Sequence, residues 1–296
     1  NQKKFHNIRS HPLKENTLQN NIVREITEDN HGNLWIGTRD QGLCKIHLAT
    51  GNCKRYMANS GNSGLANNRI REIFNDKEGN IWIGTSGNNP LLKYNKETDS
   101  FRTFESGDTE NDAPRSTIYS IYEDDFGYLW IGSFDGLSIF NKRTEEFVKF
   151  HHDPIDNTTL SHDYVRIVEE DNAGNIWVGT ESGGLNKVIK EEFSRDSVGK
   201  ITFQRFLHEP DNYKSLSDNR VYTICNDNNG IMWVGTAMGL DKFNPDTETF
   251  THYNQKDGLG DDMIYGILTD KHNNLWISHD NGISKFSPDS SEIVFT

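Results

Sequence analysis

Apolar residues in this chain fall in short runs that alternate with polar ones, and clusters of Asp, Asn and Gly break the runs. That period predicts β-strands, and no run shows helical spacing. The strands come in sets of four. In the first set they cover residues 23–27, 33–37, 43–48 and 53–56. The set then repeats, with its leading strand at 23–27, 70–74, 118–122, 165–169, 221–225 and 264–268.

The six tryptophans mark the same repeat: Trp35, Trp82, Trp130, Trp177, Trp233 and Trp276, spaced 47, 48, 47, 56 and 43 residues apart. A fixed period of this length indicates repeated supersecondary units. Around each Trp one text recurs, as in Asp29-Asn-His-Gly-Asn-Leu-Trp35-Ile-Gly-Thr38. Asp followed three residues later by Gly suits a hairpin turn, where Asp caps backbone N–H groups and Gly takes the left-handed conformation. The last copy carries Asn273 in place of that Gly.

Each unit therefore reads as a four-stranded antiparallel meander: inner strand, Trp strand, third strand, outer strand. A lone sheet of this size has two faces to cover, and neighbouring sheets packed face to face cover both, which is the blade of a β-propeller. The expected fold is all-β, one propeller domain over residues 1–296 with six complete blades. The tryptophans are expected in the layers between blades; the alternative is a set of platforms for stacking sugars. Phe5-His-Asn-Ile8 aligns with the outer strands at 101–104, 203–206 and 293–296, so residues 1–10 read as an orphan outer strand of a preceding repeat. The ring is either a closed six-bladed one or a fragment of a seven-bladed one.

A third of the residues are apolar, and the length of 296 suits one closed all-β domain. No apolar stretch reaches the roughly 18 residues of a membrane span, so no direct membrane insertion is expected. Residues 1–10 are polar, unlike a signal peptide. The net charge of −13 disfavours nucleic acid, whose binding draws on clustered Lys and Arg. Cys44, Cys53 and Cys225 fit no metal-binding spacing. A tight turn at 49–52 would pair Leu48 with Cys53 and set Cys44 opposite Met57, so three unpaired thiols are expected.

The text Asp-x-x-Gly-Asn-apolar-Trp-Ile-Gly-Thr followed by Gly-Leu resembles the two-component regulator propeller repeat over nearly the whole chain. His152-Asp-Pro154 to Leu160-Ser161 and His208-Glu-Pro210 to Leu216-Ser217 are similar to that family's connecting segments, and His11-Pro12 to Leu18 is a looser version. Neither the Gly-His to Trp-Asp pair of WD40 repeats nor the Asp-x-Gly spacing of the sialidase Asp-box is present. The resemblance implies the periplasmic sensor region of a Bacteroides-type hybrid two-component system. There, two seven-bladed propellers precede a β-sandwich domain, a membrane span and a histidine kinase fused to a response regulator. It further implies an oligosaccharide or other small ligand, no cofactor, and no enzyme activity in this segment. Its partners would be the second propeller and the sandwich domain, with a homodimer in the full receptor. The other classes to weigh are a propeller lyase or glycosidase and a ligand-free interaction scaffold.

Copies of a repeat reveal function where they differ. The second residue of the inner strand is Arg24, Arg71, Tyr119, Arg166, Tyr222 and Tyr265, only Arg or Tyr. Such side chains combine hydrogen-bond donors with flat surfaces, suited to sugar hydroxyls and carboxylates. They either line a ligand site or fill the channel mouth, paired with carboxylates such as Glu25 and Glu72. The turn after the Trp strand opens on the same face and also varies, which adds Arg39, Asp135 and Glu181 as candidates. The insertion at 190–200 is expected to extend the hairpin before the outer strand, away from the channel. No catalytic constellation stands out. His151, His152 and Asp153 lack a third metal ligand, and Glu169 and Glu170, adjacent on a strand, point to opposite faces.

Overall fold

The computed structural model describes residues 17–18, 20–58, 63–107, 109 and 111–288. The strands expected at 5–8 and 293–296, and His11-Pro12, lie outside these residues. The first sheet joins β1 (Val23–Glu28), β2 (Asn33–Thr38), β3 (Leu43–His47) and β4 (Cys53–Tyr56). The second joins β5 (Ile70–Asn75), β6 (Ile81–Thr85), β7 (Leu91–Asn95) and β8 (Ser100–Thr103), and the third β9 (Ile118–Glu123), β10 (Tyr128–Ser133), β11 (Gly136–Asn141) and β12 (Glu146–Phe150). The fourth holds β13 (Val165–Glu170), β14 (Ile176–Thr180), β15 (Leu185–Glu191) and β16 (Lys200–Phe206). The fifth holds β17 (Val221–Asn226), β18 (Met232–Thr236), β19 (Gly239–Asn244) and β20 (Thr249–Tyr253), followed by a 3-10 turn at Gln255–Asp257. The sixth has three described strands, β21 (Ile264–Thr269), β22 (Leu275–His279) and β23 (Gly282–Phe286).

In every sheet the strands neighbour one another in chain order, as in a meander. The chain is all-β, a β-propeller of six blades. It divides into two compact units, residues 1–129 with 140–147 and residues 130–139 with 148–296.

The repeated text has a structural reason at each position. In the first unit the Asp29 carboxylate accepts from the backbone N–H groups of His31 and Asn33, which closes the hairpin turn, and also from the indole Nε1 of Trp35 at 2.8 Å. The same indole-to-Asp bond joins Trp82 to Asp76, and in the second unit Trp177 to Asp171, Trp233 to Asp227 and Trp276 to Asp270. One carboxylate thus sets both the turn and the rotamer of the largest side chain in the blade. The Gly of Trp-Ile-Gly-Thr is a packing requirement. A Cβ at Gly37 would lie 2.5 Å from Ile70 of the next inner strand, and one at Gly179 would lie 2.5 Å from Val221. The Thr hydroxyl then closes the following turn, as Thr38 Oγ1 donates to the Gly42 carbonyl and Thr180 Oγ1 to that of Gly184.

Between the first two sheets Trp35, Leu43, Leu65, Ile70, Ile83 and Phe101 form one buried cluster. In the second unit Trp177, Leu185, Leu216, Val221 and Val234 form its counterpart. Five of the six tryptophans are at most 1% exposed, as interblade packing requires, but Trp276 is 44% exposed. On the same sheet Leu268 and Ile283 are also exposed. The expectation of a buried Trp in all six copies therefore fails for the last sheet, of which three strands are described.

Two further features depart from the sequence reading. Cys44 and Cys53 are joined in a disulfide, with Cα atoms 6.1 Å apart, and Cys225 is the free cysteine. The four-residue turn falls one position earlier than expected, at 48–51, which shifts the pairing by two: His47 donates to the Asn52 carbonyl, Ile46 pairs with Cys53, and Cys44 pairs with Arg55 instead of Met57. Cys44 and Cys53 become diagonal neighbours on one face, within bridging distance. The insertion at 190–200 does extend the hairpin, since β15 and β16 pair out to Glu191 and Lys200. Its Phe193, however, turns back to place its ring 5.9 Å from that of Trp130. Phe140, Phe243 and Phe286, which pack on the other tryptophans, have Val188 as their repeat counterpart in the fourth blade. The insertion thus supplies the ring that its blade lacks.

Candidate functional site

The Arg/Tyr column occupies a special backbone position. Pairing of β1 with β2 runs Val23 to Thr38 and then Glu25 to Gly37, so Arg24 is the extra residue of a β-bulge. The same irregularity falls at Arg71, Arg166, Tyr222 and Tyr265. A bulge takes a residue out of the ladder and re-aims its side chain. The repeat therefore presents these residues at the start of each inner strand while the rest of the strand keeps its pairing.

In the second unit the column forms a continuous arrangement. Arg166 Nε donates to Glu181 Oε2 at 2.6 Å, and its guanidinium lies 4.4 Å from the centre of the Tyr164 ring and 5.3 Å from that of Tyr222. Tyr222 and Tyr265 follow, with ring centres 5.8 Å apart, and the Tyr265 hydroxyl donates to Asp280 Oδ1. On the other side Phe134 stacks on Tyr164 at 4.8 Å. Both Phe134 and Tyr265 are about half exposed. Arg220 is held by Asp218 through two hydrogen bonds. Burial raises the pKa of Tyr222, and the neighbouring Glu181 raises it further against the pull of Arg166. The hydrogen bond to Asp280 raises that of Tyr265. Both phenols stay protonated at neutral pH and remain hydrogen-bond donors.

In the first unit Arg24 is exposed, and its pKa is lowered by burial and by the like charges of Arg71, Arg39 and Arg69. Arg71 Nε donates to Ser86 Oγ, and the guanidinium lies 5.5 Å from the Tyr119 ring centre. This end is a cationic cluster with one aromatic face.

Arg166, Glu181, Tyr222 and Tyr265 are thus brought together, as are Arg24, Arg39, Arg71 and Tyr119. Asp135 is exposed beside Phe134, and its backbone N–H bonds Ser133 Oγ. Tyr164, Arg220, Arg69 and Asp280 were not among the expected site residues. Tyr164, Arg220 and Arg69 stand two positions ahead of the Arg/Tyr column, and period-two spacing along the strand was the available signal.

His152, weighed with His151 and Asp153 as a metal ligand, and its repeat counterpart His208 hold loops. His152 and His208 each donate from Nδ1 to a carbonyl, of Leu160 and Leu216, at 2.8 Å, and so staple their connecting loops. Among the described residues no group of three or more His, Cys, Asp or Glu is placed to hold a metal. No helix is long and apolar enough to cross a membrane.

A model of the family described as "Two component regulator propeller" matches residues 17–40, 64–87, 113–135, 159–182 and 215–238. Five of the six repeats in this chain match the two-component regulator propeller repeat. Each match joins the connecting segment, the inner strand and the Trp strand of one repeat. The sixth repeat, with Asn273 and Ser278 where the others have Gly, falls outside the matched residues. Histidine kinase P4 of Formosa agariphila is 35% identical over 57% of this chain, a region that spans 15% of the kinase. The extracellular domain of a putative hybrid two-component system of B. thetaiotaomicron matches 94% of this chain with a TM-score of 0.72 and 26% identity, over 35% of that structure. The repeats thus resemble an extracellular sensor domain, and this chain spans a small part of both relatives. Virginiamycin B lyase of Staphylococcus aureus shares the fold, with a TM-score of 0.66 at 12% identity over 93% of this chain and 83% of the lyase.

Proposed function

We propose that this chain is a ligand-recognition propeller in the periplasmic part of a hybrid two-component sensor, and that it binds an oligosaccharide without transforming it. The observation that carries the reading is the Arg166 guanidinium between the Tyr164 and Tyr222 rings, oriented by Glu181 and continued by Tyr265. Flat aromatic faces pack on sugar rings, phenols and guanidinium N–H groups donate to hydroxyls, and bulges aim both outward. The kinship with a histidine kinase and with an extracellular sensor domain supports a signalling role, with output in kinase regions outside this segment. The Cys44–Cys53 disulfide suits an oxidising extracytoplasmic compartment. The chain acts as one propeller domain, with a second propeller, a β-sandwich and a second receptor copy as partners. The likeness to the lyase is one of fold and carries no residue-level argument for catalysis.

A glycan array, followed by calorimetry on the glycan it selects, tests this reading. Tyr222→Ala and the Arg71→Ala/Arg166→Ala double variant are expected to weaken binding by at least about tenfold, with thermal unfolding nearly unchanged. Unaltered affinity in both variants would remove the Arg/Tyr residues from the site, and turnover of a bound glycan would overturn the non-catalytic reading.

A further inference from the structure

The first unit holds a cleft of about 580 Å3 at the opposite end of β1 from Arg24, lined among others by His31, Lys45, Lys93, Tyr94 and Lys96. Its size falls within the roughly 300–1,000 Å3 of small-molecule pockets. Its charge is unusual for a chain of net charge −13. Among the described residues none of Lys45, Lys93 and Lys96 has a carboxylate within ion-pairing distance. Lys45 bonds the Tyr94 hydroxyl and Lys96 reaches His31 Nε2 at 3.3 Å. The acids in the lining, Asp29, Glu78 and Glu97, make their closest contacts with other groups or with none among the described residues, and act on the lysines only from beyond ion-pairing distance. Asp29 is taken by Trp35 and Asn33, Glu78 faces Asn80 and Lys142, and Glu97 makes no ion pair and is exposed.

Repetition shows which of these cations are routine. Lys45 and Lys93 belong to a column in which a Lys lies over the Trp of its own blade, as Lys187 and Lys242 also do. They have a packing role and add charge to the cleft as a by-product. His31 and Lys96 are different. The corresponding cleft between the fourth and fifth sheets has Ala173 and Pro245 in their places. At the position of Lys96 the third sheet has Lys142, whose ammonium group is buried against Asp76 and Glu123 at 3.1 and 2.6 Å. Among the described residues, Lys96 of the first cleft faces the His31 ring and no carboxylate. Burial lowers the Lys45 pKa against the pull of Asp29 and Asp99, and the neighbouring Lys96 and Lys54 lower it further. A bound anion would offset that repulsion.

We propose that this cleft is a binding site for a small hydrophilic organic acid, a sugar bearing a carboxylate or a sulfate ester, with Lys96 and His31 on the oxyanion and Lys45 and Lys93 behind it. The polar lining selects a hydroxylated ligand over an apolar acid. The site does not rest on the sensor reading above and shares no residue with the Arg/Tyr groups.

The test is calorimetric titration of the whole chain with digalacturonate, glucose 6-sulfate, inorganic sulfate and neutral cellobiose. Saturable binding of the uronate or the sugar sulfate, with cellobiose silent, is expected, and the arm that responds identifies the headgroup. Lys96→Glu should weaken that binding by at least about tenfold, because reversing a facing charge turns attraction into repulsion, and Lys96→Arg should retain it. Both His31 and Lys96 are exposed, so His31→Glu serves as a second variant if the first melts early. Lys271→Glu, at an exposed lysine outside the lining of the cleft, should leave this binding unchanged. The proposal fails if neither organic anion saturates, if inorganic sulfate binds as tightly as either, or if the charge-reversed variants bind like the parent.

Discussion

The indole Nε1 of Trp35 donates to Asp29 Oδ2 at 2.8 Å, and this bond recurs in later blades. Burial pushes these carboxyl groups upward, but the hydrogen bonds from the indole, the Asn side chain and the turn N–H groups outweigh it and lower the pKa of Asp29, Asp76 and Asp171. A folded-state pKa below the unfolded value of about 3.9 means stability that is complete above that pH and lost as pH falls through the folded values. The contribution of these carboxylates is therefore complete from neutrality to about pH 5, and the melting temperature is expected to drop steeply below about pH 4. Asp29→Asn should cost about 1–3 kcal/mol at neutral pH and flatten part of the acid limb, as followed by circular dichroism melts over a pH series.

Phe193 and Trp130 make a second prediction. Trp130→Ala should destabilise the fold by about 3–5 kcal/mol, as for other large-to-small core changes. Phe193→Ala should cost less, because the loop end is solvent-exposed on its other side, yet clearly more than Glu192→Ala at the neighbouring exposed position. Equal melting of the Phe193 and Glu192 variants in urea would show that the insertion does not complete the blade.

Glycine in the Trp strand predicts a strong steric effect. Gly179→Ala places a Cβ 2.5 Å from Val221 Cγ1 and 2.6 Å from Ile167 Cγ2, so the Trp strand must draw away from the inner strands or both side chains must shift. A loss of about 1–3 kcal/mol is expected. Gly179→Ala combined with Val221→Ala should recover part of it, with the Ile167 contact remaining, which a double-mutant cycle in chemical denaturation would measure.

The cysteines give a chemical readout. Denatured, unreduced protein prepared under oxidising conditions should show one reactive thiol, Cys225, and three after reduction. Cys44→Ser should lower stability by about 2–3 kcal/mol, since the bridge closes a short loop. Three reactive thiols without reductant would return Cys44 and Cys53 to the unpaired state.

Much of the fold was legible because the repeat is self-consistent. Period-two strands, one Trp per unit and a turn text in six copies leave few architectures other than a propeller. The Arg/Tyr column was legible as a pattern, but its bulges were not, because a bulge inserts one residue into a pairing register that no local residue type announces. Tyr164 was missed since only its position two residues ahead of Arg166 links them. The Cys44–Cys53 bridge was missed through a one-residue error in the position of the turn, which slides one strand along the other by two and changes every diagonal neighbour.

By itself the sequence determined the meander, the blade count and the identity of the repeat, since these follow from local periodicity and turn chemistry, both written residue by residue. Only the tertiary structure decided which side chains meet: the indole on Asp29, Phe193 on Trp130, Arg166 between two tyrosines, and Lys96 facing the His31 ring in the first cleft. Those outcomes depend on register and on packing between blades, and residues about 48 positions apart in sequence share a surface only once the sheets have formed.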